Sequence, residues 1–169
     1  MRFLLLLKPW QLLSIIMLLM LFPFWGYIGI VTHFTGTMLY LSWVYSIGKT
    51  MHSLLPKQMR VNVSFFKLCY IVGIVNLLLL TVLFFFNKLN FDTMGNYLFM
   101  LVIPLILIQL YMFSFSARML QSMIQSELVG LSDSLKAFFS IWFFPLGLWE
   151  IQAAVQSVLC KHDTTHKLS

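Results

Sequence analysis

The sequence predicts an all-α integral membrane protein, with four transmembrane helices in two hairpins and an amphipathic C-terminal helical region. Of its 169 residues, 60% are hydrophobic and only 9% are charged, and the mean hydropathy is +0.91. Soluble domains carry about a quarter charged residues, so a soluble fold could not cover this much apolar side chain. This composition excludes secreted disulfide scaffolds, disordered chains and cytosolic enzymes.

The first predicted hairpin lies between Lys8 and Lys49, where 40 consecutive residues are uncharged. One span needs about 20 residues, so this block accommodates two spans, which we place near 10–31 and 34–54. A turn signal at 32–36, with the sequence Thr-His-Phe-Thr-Gly, predicts the reversal between them. Lys49 falls inside the second span, from which its long side chain can reach the membrane surface.

The second predicted hairpin comes from two further uncharged blocks. The 20 residues of 68–87 predict the third span, and the 25 residues between Asp92 and Arg118 predict the fourth, near 97–117. The runs are continuous and lack the alternation of a transmembrane barrel. Residues 1–117 therefore form a predicted four-helix bundle.

The basic residues predict the orientation. If both termini are cytosolic, only Lys88 of the 11 Lys and Arg residues lies on the outer side, as the positive-inside rule requires. A second span lying flat on the outer surface would put four cations outside, namely Lys49, Lys57, Arg60 and Lys67, which excludes that arrangement. The formal charge of +6 is therefore interpreted as setting topology and not as a nucleic-acid patch. We predict a multi-pass protein of the cell inner membrane with both termini cytoplasmic.

Residues 118–161 are predicted to form amphipathic and interfacial helices, followed by a flexible tail at 162–169. From Met119 to Leu135, apolar residues recur every three or four positions, opposite glutamines and serines, and this helix is expected to continue the fourth span. The apolar stripe comprises Leu120, Ile124, Leu128, Leu131 and Leu135.

The 13 uncharged residues of 137–149 are too few to span a bilayer and are typical of a re-entrant or interfacial element. Pro145 and Gly147 are expected to bend it, and Trp142 and Trp149 suit the headgroup level. The next segment, 150–161, is again amphipathic. Its apolar arc contains Ile151, Ala154, Val155, Val158 and Leu159, and its polar arc Gln152, Gln156 and Lys161. A fifth span through 137–159 is the alternative.

Seven polar residues share one face of the second span, at steps of three, four or seven: Thr35, Ser42, Tyr45, Ser46, Lys49, Thr50 and Ser53. We name this set the polar seam. A helix surrounded by lipid would not carry it, so it is expected to face protein or water, as a subunit interface or part of a pore lining. In the alternative interpretation, the hydroxyls bond back to their own helix and the lysine reaches the surface.

Two other polar residues fall inside predicted spans, Asn76 in the third and Gln109 in the fourth. Each is a candidate for a hydrogen bond across the bundle. No carboxylate lies inside the four spans, and no HExxH, GxSxG, CxxC or P-loop motif occurs. We therefore expect no catalytic, cofactor-binding or metal site.

The segment from Phe143 to Gln152 resembles a C-terminal element of small uncharacterised bacterial multispan proteins, in which a Pro-x-Gly-x-Trp turn precedes an Ile-Gln pair. The resemblance covers about ten residues. It implies a bacterial inner membrane and no activity.

These features predict a non-catalytic membrane subunit or effector that self-associates, or docks a membrane or cytosolic protein partner, through the polar seam and the cytosolic amphipathic helices. A pore-forming or membrane-perturbing role is one version of this hypothesis. The alternative is a small transporter or channel for a neutral or anionic solute, and a membrane enzyme is the third possibility. Lipid is an expected partner, and nucleic acid is not.

Overall fold

The computed structural model describes residues 3–21, 26–86 and 91–167. Within these ranges seven α-helices and no strands are present, which confirms the all-α class. The helices are α1 (Phe3–Leu6), α2 (Pro9–Leu21), α3 (Gly26–Leu54), α4 (Ser64–Phe86), α5 (Phe91–Gln125), α6 (Leu135–Trp142) and α7 (Phe144–Lys167), and a 3-10 turn (Lys57–Met59) lies between α3 and α4.

Two of the described helices are long and apolar enough to cross a membrane, α4 over Ser64–Leu83 and α5 over Phe99–Gln125. With a rise of 1.5 Å per residue, α4 measures about 35 Å, against a hydrocarbon core of about 30 Å. The apolar part of α2, Pro9–Met20, is shorter. By length and composition alone, these helices are weak evidence of membrane association.

The turn predicted at 32–36 is wrong, because α3 runs without interruption from Gly26 to Leu54. The threonine hydroxyls of this segment bond to carbonyl oxygens one turn earlier, as Thr35 does to Val31 at 2.7 Å, so they fit a helix as well as a turn. Gly36 serves close packing: a Cβ placed on it would lie 3.1 Å from the Leu19 Cβ atom of α2. The predicted first span, 10–31, is therefore split between two helices: α2 ends at Leu21, and residues 26–31 belong to α3.

The predicted amphipathic helix at 119–135 is correct only in its first part. Helix α5 continues past the predicted span to Gln125, where Ser126 adopts a left-handed φ of 58° and ends it. The chain then folds back, and the Val129 amide donates a hydrogen bond to the Ser122 hydroxyl at 3.1 Å. Of the predicted apolar stripe, Leu120 is buried, whereas Ile124, Leu128, Leu131 and Leu135 are exposed.

Helices α6 and α7 form an antiparallel hairpin that reverses at Phe143. A Cβ placed on Gly147 would lie 1.9 Å from the Ser140 carbonyl oxygen, so only glycine permits this approach of the two backbones. A single straight span through 137–159, the predicted alternative, is therefore excluded. Helix α7 continues to Lys167, so most of the predicted flexible tail at 162–169 is helical, and residues 168–169 lie outside the described ranges.

Helix α3 is central and packs against α1, α2, α4 and α5. Ser42 contacts Tyr70 of α4 at 3.0 Å, and Ser116 of α5 donates a hydrogen bond to the Val44 carbonyl at 2.9 Å. Further along α3, Tyr45 stacks on Phe66, which is earlier in α4, and earlier in α3, Tyr40 lies 5.7 Å from Phe113, which is earlier in α5. Helix α4 therefore runs antiparallel to α3, and α5 runs parallel to it. At Gly48 the three helices approach so closely that a Cβ would lie 2.6 Å from the Phe66 ring and 2.7 Å from the Ser116 hydroxyl.

The register brings the described Lys and Arg side chains to the end of the bundle where α3 finishes, and we name it the basic end. At this end Arg60 donates hydrogen bonds to the carbonyls of Leu55 at 2.9 Å and Ser53 at 2.8 Å, which satisfies the free carbonyls that close α3. The residues concerned are Lys8, Lys49, Lys57, Arg60, Lys67, Arg118, Lys136 and Lys161.

Candidate functional site

The polar seam lies on α3, but its members have different surroundings. Four of them are buried or half-buried inside the chain: Ser42, Tyr45, Ser46 and Thr50. Three are exposed: Thr35, Lys49 and Ser53. The predicted stripe is therefore a contact between helices of one chain over its central part.

Most of the seam hydroxyls bond back to their own helix. Ser42 donates to the Met38 carbonyl at 2.8 Å, Ser46 to the Ser42 carbonyl at 2.7 Å, and Ser53 to the Thr50 carbonyl at 2.7 Å. Such bonds satisfy a hydroxyl within an apolar environment without a partner helix. This matches the alternative interpretation of the seam for these three residues.

The seam meets α4 and α5 through stacked aromatic rings. Tyr45 stacks on Tyr70, with ring centroids 4.1 Å apart, and on Phe66 at 5.3 Å. Phe66 in turn stacks on Phe115 at 4.2 Å. Lys49 places its ammonium 5.7 Å from the Tyr45 ring centroid, a cation–π contact at the edge of the stack.

Asn76 and Gln109, the predicted cross-bundle residues, are buried and half-buried respectively. The Asn76 side chain is 8% exposed, and its Oδ1 atom has no hydrogen-bond partner among the residues that the structure describes. The expected bond across the bundle is therefore not made by this oxygen. An unsatisfied buried carbonyl is destabilising, since it loses its water and gains nothing in return.

The most extensive polar network was not predicted, and it centres on Gln152 of α7. This side chain is fully buried, although it was predicted on the polar arc of the helix, while Ile151 and Val155 of the apolar arc are buried as expected. Its Oε1 atom accepts a hydrogen bond from the Trp43 indole at 3.0 Å. Its Nε2 atom donates to the carbonyls of Leu5 and Leu7, both at 2.9 Å.

The chemistry of α1 explains why these carbonyls need a donor. In a continuous helix the Leu5 carbonyl would accept from the amide four residues later, but that residue is Pro9, which has none. Gln156, one turn after Gln152, also donates to the Leu7 carbonyl, at 3.1 Å. The Leu7 carbonyl also lacks its helical partner, because the Gln11 amide donates to the Lys8 carbonyl at 3.0 Å. Two glutamines of α7 thus supply donors to both carbonyls, and they fix α7 to the N-terminal helix.

Aromatic packing surrounds this junction. The Phe144 ring lies 5.0 Å from Tyr40 and 5.5 Å from Trp43, both edge-on. The Tyr40 hydroxyl donates to the Ile141 carbonyl at 2.6 Å, close to the reversal of the α6–α7 hairpin. Four segments of the chain (α1, α3, α6 and α7) therefore meet at a single point. We name this the glutamine junction, formed by Tyr40, Trp43, Phe144, Gln152 and Gln156.

An exposed ion pair lies on the hairpin. The Lys136 ammonium is 2.5 Å from Glu150, and the Ser140 hydroxyl donates to the same carboxylate at 3.2 Å. The hydrogen bond from Lys136 lowers the pKa of Glu150 below its usual value, and Ser140 adds to this. Both charged side chains remain open to solvent, so the pair adds little to stability.

Large apolar side chains cover the outward faces of α4 and α5. On α4 they recur at steps of three and four, and all are about half exposed: Leu68, Ile71, Val75, Leu78 and Val82. On α5 the exposed set is Phe99, Met100, Ile103, Ile106 and Leu107. Patches of this length are rare on soluble monomers and mark contact with lipid or protein.

Comparisons with protein-family models, with curated proteins and with solved structures find no match to this chain. Across the residues whose placement is described, no three His, Cys, Asp or Glu side chains lie together as metal ligands. The carboxylates whose side chains the structure describes are at exposed positions: Glu127, Asp133 and Glu150. Asp92 lies in the first turn of α5. The function is therefore inferred from packing and surface chemistry alone.

Proposed function

We propose that this chain is a non-catalytic, multi-pass protein of the cell inner membrane that acts as a self-associating subunit. The observation that carries the proposal is the inverted distribution of polarity. Large apolar side chains face outward along α4 and α5, while Ser46, Thr50 and Ser116 are buried between helices. Soluble proteins show the opposite arrangement, because water selects polar surfaces.

We assign the four crossings to α1 with α2, α3, α4 and α5. Helix α4 matches the bilayer thickness, and the longer α3 and α5 would project beyond it at one end. The basic end supports the orientation, since cations held there would remain in the cytosol with both termini. Lys49 lies near this end of α3, which suits a lysine whose ammonium reaches the membrane surface.

Self-association would use the outward face of α4. Its exposed residues follow a seven-residue repeat, Leu68, Ile71, Val75, Leu78 and Val82, which is the spacing of interlocking helix pairs. The polar seam is less suited to this role than expected, because its central residues already pack against α4. The surface left for a second copy is therefore apolar.

The alternative of a small transporter for a neutral or anionic solute stays a prediction. It relied on Ser42, Ser46 and Lys49 lining a path, and the two hydroxyls are instead bonded to their own helix. No contact described above favours a catalytic role, and the proposal includes none.

Cysteine cross-linking tests the self-association. In a protein with Cys69 and Cys160 replaced by serine, Val75→Cys should give a disulfide-linked dimer in native membranes under mild oxidation. Ile103→Cys, at a matched outward position on α5, should remain monomeric. A monomer for both variants, together with a monomeric mass in mild detergent, would contradict self-association and leave the α4 face to lipid.

A further inference from the structure

The α6–α7 hairpin has an exposed apolar face that none of the contacts described above covers. The side chains are exposed on the outside of the reversal: Phe139, Trp142, Phe143, Leu146 and Trp149. Leu146 is 84% exposed, which is unusual for a leucine in an ordered helix. Between the two helices runs a groove of about 470 Å³, apolar at the reversal and lined at its other end by the ion pair of Lys136 and Glu150.

Hydrogen bonds show where this face lies along the long axis of the bundle. Tyr40 bonds to Ile141 beside the reversal, and two residues further along α3, Ser42 bonds to Tyr70 of α4. Tyr70 is two residues from Leu68, the first of the five outward apolar residues of α4 named above. The reversal therefore lies within about one helical turn, 5.4 Å, of the edge of that apolar face nearest the basic end.

The ion pair lies on the other side of this edge. Lys136 precedes Trp142 by six residues, which corresponds to about 9 Å of helix. The hairpin is thus apolar where it is level with the outward apolar face of α4 and charged where it extends beyond that face. Helix α1, which packs against α7, also has exposed apolar side chains, Phe3 and Leu6, and Trp10 follows at the start of α2.

We propose that the reversal of the α6–α7 hairpin is inserted into the cytosolic leaflet, at the boundary between headgroups and acyl chains, and that a phospholipid acyl chain fills its groove. The proposal rests on the membrane location proposed above. The partner is identified as lipid because the exposed face lies at the level of the bundle where the outward apolar face of α4, which the proposed bilayer contains, begins. Tryptophan is the side chain enriched at this boundary, and the hairpin presents two.

The experiment measures tryptophan quenching in liposomes. Trp10, Trp25 and Trp149 are replaced by phenylalanine, while the buried Trp43 is retained because it takes part in the glutamine junction. Subtracting the emission of the same protein carrying Trp142→Phe isolates the Trp142 signal. Phospholipids brominated near the headgroup should quench Trp142, those brominated deep in the chain should quench it less, and aqueous iodide should have little effect.

Two outcomes would overturn the proposal. Quenching of Trp142 by iodide and not by brominated lipid would place the face in water. Protection from both quenchers would place it under protein. A reference tryptophan, Ile103→Trp on the outward face of α5, separates this inference from the proposed membrane location. Quenching of the reference alone contradicts only the hairpin insertion, whereas an unquenched reference contradicts both.

Discussion

Replacement of Gln152 by leucine should weaken the whole fold, because it removes the centre of the glutamine junction while keeping the volume similar. The Trp43 indole N–H would lose its acceptor, and the carbonyls of Leu5 and Leu7 would lose their shortest donor. All three groups lie where water cannot easily replace the amide, since Gln152 and Trp43 are fully buried.

The magnitude follows from the cost of unpaired buried groups. A buried donor left without a partner costs about 1–3 kcal/mol. Gln156 still donates to the Leu7 carbonyl at 3.1 Å and, at a longer 3.5 Å, to the Leu5 carbonyl, so the Trp43 indole N–H is the group left without a partner and the Leu5 carbonyl keeps only a weak one. We expect a total loss near 3 kcal/mol, which corresponds to roughly a hundredfold change in the unfolding equilibrium.

Unfolding in mild detergent by increasing sodium dodecyl sulfate, followed by helical circular dichroism, measures this loss. Gln152→Leu should unfold at a clearly lower detergent fraction than the native protein. Gln125→Leu, at an exposed glutamine of α5, is the matched control and should change stability by less than about 0.5 kcal/mol. Equal midpoints for Gln152→Leu and the native protein would refute the structural role of the junction.

Three further predictions concern other packed or charged sites. Gly147→Ala should separate α6 from α7 at a cost of about 3 kcal/mol and make the hairpin sensitive to protease, because the new Cβ meets backbone. Lys136→Met should raise the pKa of Glu150 towards its usual value, measured by NMR titration of ¹³C-labelled glutamate. In the native protein the Lys136–Glu150 pair stabilises the folded state at pH values above the pKa that Glu150 has in the unfolded chain. This stabilisation is lost as the pH falls through the lower pKa that Glu150 has in the folded protein. Asn76→Leu should leave stability unchanged or increase it by about 1 kcal/mol, measured by the same detergent unfolding.

The controls for these predictions lie within the chain. Gly130→Ala is the matched glycine, since its Cβ would come no nearer than 3.5 Å to any side chain, and equal losses for the two glycine variants would contradict the close approach at Gly147. The chain has two glutamates, so substitution of Glu127 identifies which NMR signal belongs to Glu150. If Lys136→Met leaves the pKa of Glu150 unchanged, the ion pair is absent. A large destabilisation by Asn76→Leu would mean that the amide has a partner.

The existence of α4 and α5 could be predicted, because each contains an uncharged block of bilayer length. Charge did not set their ends, since α4 begins at Ser64, before Lys67, and α5 contains both Asp92 and Arg118. The turn at 32–36 could not be excluded in the same way. Threonine and glycine occur in turns, and only the contact of Gly36 with α2 distinguishes close packing from a turn.

The glutamine junction could not be predicted from local pattern. Gln152 lies 145 residues after Leu7, so periodicity within α7 can only place the two glutamines on one face. A signal was present at the N-terminus, where Pro9 deprives a short helix of a donor. It shows that a buried amide is needed but not which part of the chain supplies it.

The central claim is that lipid surrounds this bundle and that its basic end faces the cytosol. The direct test labels the exposed Cys160 of α7 with a membrane-impermeant maleimide, in a Cys69→Ser background, using sealed vesicles of both orientations. The account predicts labelling in inverted vesicles and none in right-side-out vesicles until detergent is added, with Lys88→Cys showing the reverse. Labelling of Cys160 from the outside, or recovery of the protein in buffer without detergent, would contradict it.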